Sequence, residues 1–286
     1  MGGVSAVLAA LLAGCATDAV TGRGTANFYT MSDEIALGRS AMKENIEQLR
    51  KQGVRINADA PRLAQMREIA NRIGAVSDLP QIRYEVTLAH TNIVNAAALP
   101  GGQMIVFEGL YDPKEGLVTD TDELAAVIGH EIAHVNCRHS TERLTKLMLA
   151  GAVTETIATV ADHGNREEWA QLLRGVFAVG TALWIPSYTR TDEAEADRVG
   201  LFYMARAGYD PRAAPRVWQR VAGKKHDPNG SSIFATHPSS GDRYRALSKL
   251  LPYAMEDYAR ATGRYPPGYA PPAHLPPADW RKGPIP

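Results

Sequence analysis

Apolar positions recur at helical spacing over most of this chain, and the exceptions are short and lie in its first half. Over residues 33–52, Ile35, Leu37, Met42, Ile46 and Leu49 mark an amphipathic helix. A second, over 60–76, carries Pro61 in its first turn and Leu63, Met66, Ile69, Ala70 and Ile73 on one face. The period then shortens. Residues 82–89 alternate Ile, Tyr, Val and Leu, and 103–107 are rich in β-formers, so both predict strands. Helical spacing returns in the apolar run 124–135, where Thr119 to Glu123 supply starting residues and Asp120 with Glu123 has capping-box spacing. Residues 141–161 and 167–183 predict two apolar helices joined at Asp162-His163-Gly164-Asn165. Neither offers the near-charge-free run of about twenty residues that a membrane span needs. Further helices are predicted from about 190 to a Gly208 C-cap, from Asp210-Pro211 onward, and over 243–251, with a Gly/Asn/Pro-bearing loop at 223–232. The pattern as a whole predicts an α+β domain, mostly helical, with a small sheet.

The run 124–135 carries more than packing. His130-Glu131-Ile132-Ala133-His134 is the pattern HExxH, and positions four apart on a helix lie one above the other. His130 and His134 therefore face one ion, with Glu131 about 100° round the helix. A catalytic zinc takes three protein ligands and a water whose pKa it lowers to about 7, and a neighbouring carboxylate takes the proton. The motif predicts zinc-dependent hydrolysis with Glu131 as general base. A His pair with an acidic residue between them is a poor choice for a plain apolar core.

The third ligand decides the subclass. A metzincin places a Gly three residues after the second His and another His three beyond; here Cys137 and Ser140 stand there, and His139 is one residue out of register. The alternative is a carboxylate from a separate helix, and Arg190-Thr191-Asp192-Glu193-Ala194-Glu195-Ala196-Asp197 supplies candidates. Glu193 and Asp197 share a face, so one ligates while the other orients a ligand His. Asp192 and Glu195 read as first-turn acidic residues favoured by the helix dipole.

HExxH followed by RxxExxAD resembles the zinc metallopeptidases typified by HtpX and the CAAX prenyl endopeptidases. The chain is similar in particular to their periplasmic lipoprotein branch, typified by BepA and LoiP. The shared segments are Val20-Thr21-Gly22-Arg23, Glu34 to Gly38, Asn95 with Ala98-Leu99-Pro100-Gly101-Gly102, HEIAH, ExxADxxG, Ala207 to Pro211 and Thr236-His237-Pro238, in order over about residues 20–251. The resemblance implies a zincin-like fold with the sheet beside the HExxH helix and one zinc ion on His130, His134 and Glu193, with Asp197 behind them. It implies that the strand at Asn95, Ala96 and Ala97 borders the cleft and pairs with extended substrate. An open edge with small side chains suits that task, because main-chain hydrogen bonds then give affinity without much sequence selectivity. The other reading of this stretch is a hairpin whose Pro-Gly-Gly is only a turn. The resemblance further implies that His237 occupies the fourth zinc position and holds the site shut, and from this we expect Arg243 to face the cleft and steady substrate or an oxyanion. No 34-residue helical repeat occurs, so the substrate-recruiting function of the tetratricopeptide domain of BepA is not carried over.

Composition adds limits. Among 286 residues the formal net charge is zero and aromatics make up 7%, with no basic block, so nucleic acid is not an expected partner. The first fourteen residues hold an apolar run too short to span a bilayer, with no Lys or Arg before it, and Leu12-Ala13-Gly14-Cys15 resembles a bacterial lipobox. Cleavage there would leave a lipidated Cys15, and Ala16 after it points to the outer membrane, facing the periplasm. Cys137 is then left without a disulfide partner. Residues 1–14 are thus expected as a leader, 15–31 as a tether, 32–252 as the metallopeptidase domain and 253–286 as a tail. That tail holds eight of the eighteen prolines within 266–286, a composition that favours extended chain. The expected substrates are unfolded or misassembled envelope proteins, and the competing reading is a latent, zinc-bound chaperone for outer-membrane proteins.

Overall fold

The structure is a computed structural model that describes residues 15–158, 187–223, 236–237, 242–276 and 279–280. The predicted leader, the helix predicted over 167–183 and nearly all of the loop predicted over 223–232 lie outside them. Five strands and seven helices are described: β1 (Cys15–Thr17), β2 (Gly24–Ala26), α1 (Met31–Lys51), α2 (Ala60–Ala75), β3 (Glu85–Ala89), β4 (Ala96–Ala98), β5 (Gln103–Phe107), α3 (Thr121–Asn136), α4 (His139–Ala158), α5 (Arg190–Arg206), α6 (Ala213–Gly223) and α7 (Arg243–Thr262). The fold is α+β and mostly helical, as the periodicity predicts. Among the described residues no helix is long and apolar enough to cross a membrane.

The three-stranded sheet has the order β3-β5-β4, with β3 and β5 parallel and β4 antiparallel to β5. Pro100-Gly101-Gly102 makes the turn between β4 and β5, with Gly101 and Gly102 at φ +70° and +96°, where side chains are strained. The Pro-Gly-Gly is a turn, as the hairpin reading expects, and β4 is the sheet edge that lies against α3.

Helix α3 is the centre of the domain. Asp120 caps it by accepting the Glu123 backbone N–H at 2.8 Å, and every residue from Glu123 to Asn136 is buried. A helix buried all round must be enclosed by other elements, and α2, α5, α6 and β4 enclose it. The closest approach is to α5, where Gly129 and Gly200 face each other. A Cβ on Gly200 would stand 2.8 Å from the His130 nitrogen and 2.9 Å from the Gly129 carbonyl. Glu193 and Asp197 stand one to two turns earlier on α5, so this glycine contact sets their distance from the His pair.

The start of α3 is tied to α6 through Glu123. Its carboxylate accepts from Thr119 N (2.9 Å), Thr119 Oγ1 (2.8 Å) and Arg216 Nε (3.1 Å), and pairs with Arg220. Burial pushes the carboxyl up, but Arg220, Thr119 and Arg216 more than offset that and hold it at about 2.

Three segments differ from expectation. Residues 15–31, expected as a tether, fold back: β1 pairs with β2, Val20 is buried, and Arg23 forks onto Glu142 at 2.9 and 2.7 Å. Helix α7 runs to Thr262 rather than ending near 251, passing through Pro252 to a left-handed Gly263. Proline removes one helical hydrogen bond, but Ala254 and Met255 are buried beyond it and Asp257 accepts from Arg206 Nε at 2.9 Å, so packing carries the helix on. The proline-rich tail is not loose at Trp280, which stacks on Phe202 with ring centroids 4.2 Å apart.

Two outcomes follow from these contacts. Gly200→Ala forces two backbones apart, and overpacking costs about 1–3 kcal/mol. At about 2–4 °C per kcal/mol for a domain of this size, calorimetry should show a melting point lower by several degrees; an unchanged one would mean the crossing is not tight. Because the folded Glu123 carboxyl lies below its ordinary 4.5, its contribution is complete above that value and is lost as pH falls towards 2. The stability gap between wild type and Glu123→Gln in urea should therefore narrow from pH 5 to pH 3, and a pH-independent gap would exclude this pairing as its cause.

Candidate metal centre

His130 and His134 come from successive turns of α3 and Glu193 from the first turn of α5, which Thr189 and Asp192 open with a reciprocal capping box. Asp192, read from the sequence as a dipole residue, is thus the partner of the cap. His237 arrives from the chain preceding α7. All four side chains are buried, and their ligand-capable atoms lie within 4.8 Å of one another. His130 Nε2 is 3.0 Å from His134 Nε2 and 3.4 Å from His237 Nδ1, and Glu193 Oε1 is 3.3 Å from His134 Nε2 and 2.9 Å from His237 Nδ1. Bonds of about 2.0–2.1 Å to a tetrahedral zinc imply ligand–ligand edges of about 3.3–3.4 Å. These four separations, 2.9–3.4 Å, lie close to that value, and all the ligand-capable atoms fall within 4.8 Å of one another, so these residues fit a divalent ion.

Behind the ligands lie charged partners. Asp197 Oδ1 is 3.1 Å from His130 Nδ1, the ring atom facing away from the cluster. Arg243 donates from Nε and Nη2 to Asp197, both at 2.6 Å, while Nη1 is 2.6 Å from Glu193 Oε2. Its guanidinium also lies 3.4 Å from the Trp218 ring centroid. This differs from the cleft-facing Arg243 expected from sequence: with both neighbouring carboxylates buried beside it, the guanidinium turns inward to neutralise them. Burial pushes the Glu193 carboxyl up, but His237 and Arg243 more than offset it and hold it well below the usual range. At Asp197 too, Arg243 and His130 outweigh burial and lower the pKa.

Glu131 points to the sheet side of the cluster. Its Oε2 accepts from Ala98 N at 2.8 Å, and Oε1 lies 3.3 Å from His237 Nε2. Burial pushes this carboxyl up, against the lowering effect of His237 and His130, which moves it towards the range of a general base. His237 therefore sits between the ligand cluster and Glu131.

The expected open edge of β4 is covered in this structure. Asn95 and Leu99 bond to β5, so Ala96 and Ala98 turn their main-chain groups outward. Ala98 N donates to Glu131, Ala98 O lies 3.3 Å from the Tyr188 hydroxyl, and Ala96 O lies 3.4 Å from His237 Nε2. Ala97 faces β5, and Asn95 is buried with its amide nitrogen 3.3 Å from Thr236 Oγ1. Tyr188 N bonds to Thr236 O, so the segment before α5 and the His237 segment are joined.

Sequence reasoning missed Tyr188, which stacks on His134 at a centroid distance of 3.6 Å, and Trp218, which meets His130 edge-on at 5.2 Å. Aromatic rings at helix starts or on amphipathic faces look like core residues, and nothing in their spacing signals a role. His139 was seen but set aside for its register; it bonds to His134 instead. The backbone of Cys15 is in β1, and the structure says nothing of its side chain.

Comparisons with known proteins agree with this geometry. The chain is 34% identical over 188 residues to mitochondrial metalloendopeptidase OMA1 of Schizosaccharomyces pombe, covering 65% of this chain and 52% of that one. It is 32% identical over 214 residues to the human metalloendopeptidase OMA1, covering 69% and 38%. To the beta-barrel assembly-enhancing protease of Yersinia pestis it is 30% identical over 183 residues, covering 61% and 36%. The chain thus spans about half or less of the length of these relatives. The sequence pattern of Peptidase family M48 matches residues 60–251, which include α2 through most of the first half of α7 and every residue of the cluster, and the chain belongs to that family.

Proposed function

We propose that the protein is a zinc-dependent endopeptidase whose resting site is closed by His237. The observation that carries this reading is the buried convergence of His130, His134, Glu193 and His237 with the Glu131 carboxylate directly beside them. His130, His134 and Glu193 would hold the zinc, which when bound would supply Lewis-acid polarisation of a peptide carbonyl and a water acidic enough to be activated near neutral pH. Glu131 takes the proton from the attacking water at Oε1 and delivers it to the leaving amine. Its other oxygen is anchored on Ala98 N, which keeps Oε1 aimed at the cluster. Asp197 fixes the His130 ring, and Arg243 holds Asp197 and Glu193 in place rather than touching substrate.

An extended peptide would add to β4 through the outward groups of Ala96 and Ala98, with Asn95 and Ala97 shaping the edge from behind. His237 and Tyr188 now face the Ala96 and Ala98 carbonyls while Ala98 N stays on Glu131, so one movement of the joined segments would free both carbonyls and Glu131 Oε1. The lipobox-like Leu12-Ala13-Gly14-Cys15, together with a relative named for β-barrel assembly, supports unfolded or misassembled envelope proteins as substrates of an outer-membrane lipoprotein facing the periplasm. The second reading, a latent zinc-bound chaperone, is favoured by one observation: His237 is already seated in the cluster.

Zinc content and casein cleavage, measured on wild type, Glu131→Gln and His237→Ala, test the reading. About one zinc per chain is expected in wild type and Glu131→Gln. Cleavage should rise several-fold in His237→Ala and fall by at least the ~10²-fold that a general base contributes in Glu131→Gln. Bound zinc with no turnover in any of the three would favour the chaperone; folded wild type without zinc would end the proposal.

A further inference from the structure

His139 and Glu195 are absent from the proposed catalytic set, yet both are buried next to it. His134 turns Nε2 to the ligand cluster, 3.3 Å from Glu193 Oε1, and Nδ1 to His139 Nδ1 at 2.8 Å. His139 Nε2 lies 3.0 Å from Glu195 Oε2. Arg23 closes the series, with Nη2 3.4 Å from Glu195 Oε2 and a two-pronged pair with Glu142.

The chemistry of imidazole gives this series one direction. A neutral imidazole carries a single N–H, and a ring nitrogen that ligates a metal must offer its lone pair. If His134 ligates through Nε2, its proton is on Nδ1, and the acceptor at 2.8 Å is His139 Nδ1. His139 then carries its own proton on Nε2 and donates it to the Glu195 carboxylate. We propose that His139 and Glu195 are positioning residues that fix the tautomer and ring plane of His134, with Arg23 anchoring the far end. The inference rests on the metal reading above and concerns residues that reading leaves out.

The arrangement parallels the other ligand. His130 is backed by Asp197 and then Arg243; His134 is backed by His139, Glu195 and then Arg23. Ligand histidines characteristically donate their second N–H to such a partner, and losing the partner costs about 10–100-fold in metal affinity. The extra imidazole spans a gap that the Glu195 side chain, on a more distant face of α5, does not cross. Tyr188 holds the same ring from its face, 13° from parallel.

Cys137, His139 and Glu195 also lie close enough to hold an ion themselves. Both nitrogens of His139 are engaged, however, one by His134 and one by Glu195. A second ion there would have to displace the contact to His134 or the one to Glu195.

Zinc affinity, measured by competition with a chromophoric chelator, tests the relay. His139→Phe removes the acceptor and should weaken zinc binding 10–100-fold, while His139→Asn, whose amide oxygen replaces Nδ1, should recover part of the loss. Glu195→Gln should weaken binding less than His139→Phe. A merely structural role would lower the melting point of all variants without this order in zinc affinity. Wild-type affinity in folded His139→Phe overturns the relay alone, whereas wild type without zinc removes the metal reading itself. Two zinc ions per wild-type chain, falling to one in Cys137→Ser, would replace the relay with a second metal site. Should His139→Phe fail to fold, ¹⁵N spectra of the zinc-loaded wild type decide: the relay requires His134 protonated only on Nδ1 and His139 only on Nε2. The opposite tautomer at His139, or a doubly protonated ring, overturns it.

Discussion

Where Gly129 of α3 meets Gly200 of α5, two helix backbones touch with no side chain between them, and that contact fixes how far a carboxylate stands from a pair of imidazoles. A Cβ at Gly200 would meet the facing backbone at 2.8–2.9 Å and push the helices apart, while one at Gly129 would meet the Gly200 carbonyl at 3.1 Å. The rest of the domain serves the same distance. Helix α2 and helix α6 cover the remaining sides of α3, and β4 closes the side that Glu131 faces. The cluster is therefore held by elements and not by loops, His237 excepted.

Placing so many ionisable groups out of water is costly unless each has a partner. The fold meets this requirement with arginines on opposite sides of the centre. Arg243 lies between Asp197 and Glu193, and Arg23 lies between Glu142 and Glu195. One arginine comes from the start of α7, shortly after His237, and the other from the β1–β2 hairpin, far earlier in the chain than any residue of the cluster. The N-terminal hairpin is thus part of the site's support. In a chain whose formal net charge is zero, charge is balanced locally and in the interior as well as in sum.

Much of this was legible in the sequence because the relevant signals are local. The strand at 103–107 coincides with β5, the Asp120 cap opens α3 where its spacing predicts, and HExxH needs only helical geometry to bring two imidazoles together. Glu193 and Asp197 were legible as a pair sharing a face. The partners of those residues were not, because they depend on how helices cross. Arg243 turns inward because Asp197 and Glu193 flank it, and Glu195, whose sequence position suggests a dipole residue, reaches a histidine on another helix. The continuation of α7 past Pro252 follows from burial of Ala254 and Met255, which no local rule reports. Trp280 behaves likewise: an aromatic in a proline-rich stretch has no periodicity to place it, and its stacking on Phe202 shows where it belongs.

The proposed gate and the proposed metal shell meet at His237, whose Nδ1 faces the cluster and whose Nε2 faces Glu131. The central claim is that this ring completes a four-ligand shell with His130, His134 and Glu193. X-ray absorption at the zinc edge of the zinc-loaded protein reads that shell directly. The account predicts four nitrogen or oxygen neighbours at about 2.0–2.1 Å, with the outer-shell scattering of three imidazoles and no sulfur. A sulfur neighbour at about 2.3 Å, or scattering from only two imidazoles, would contradict it.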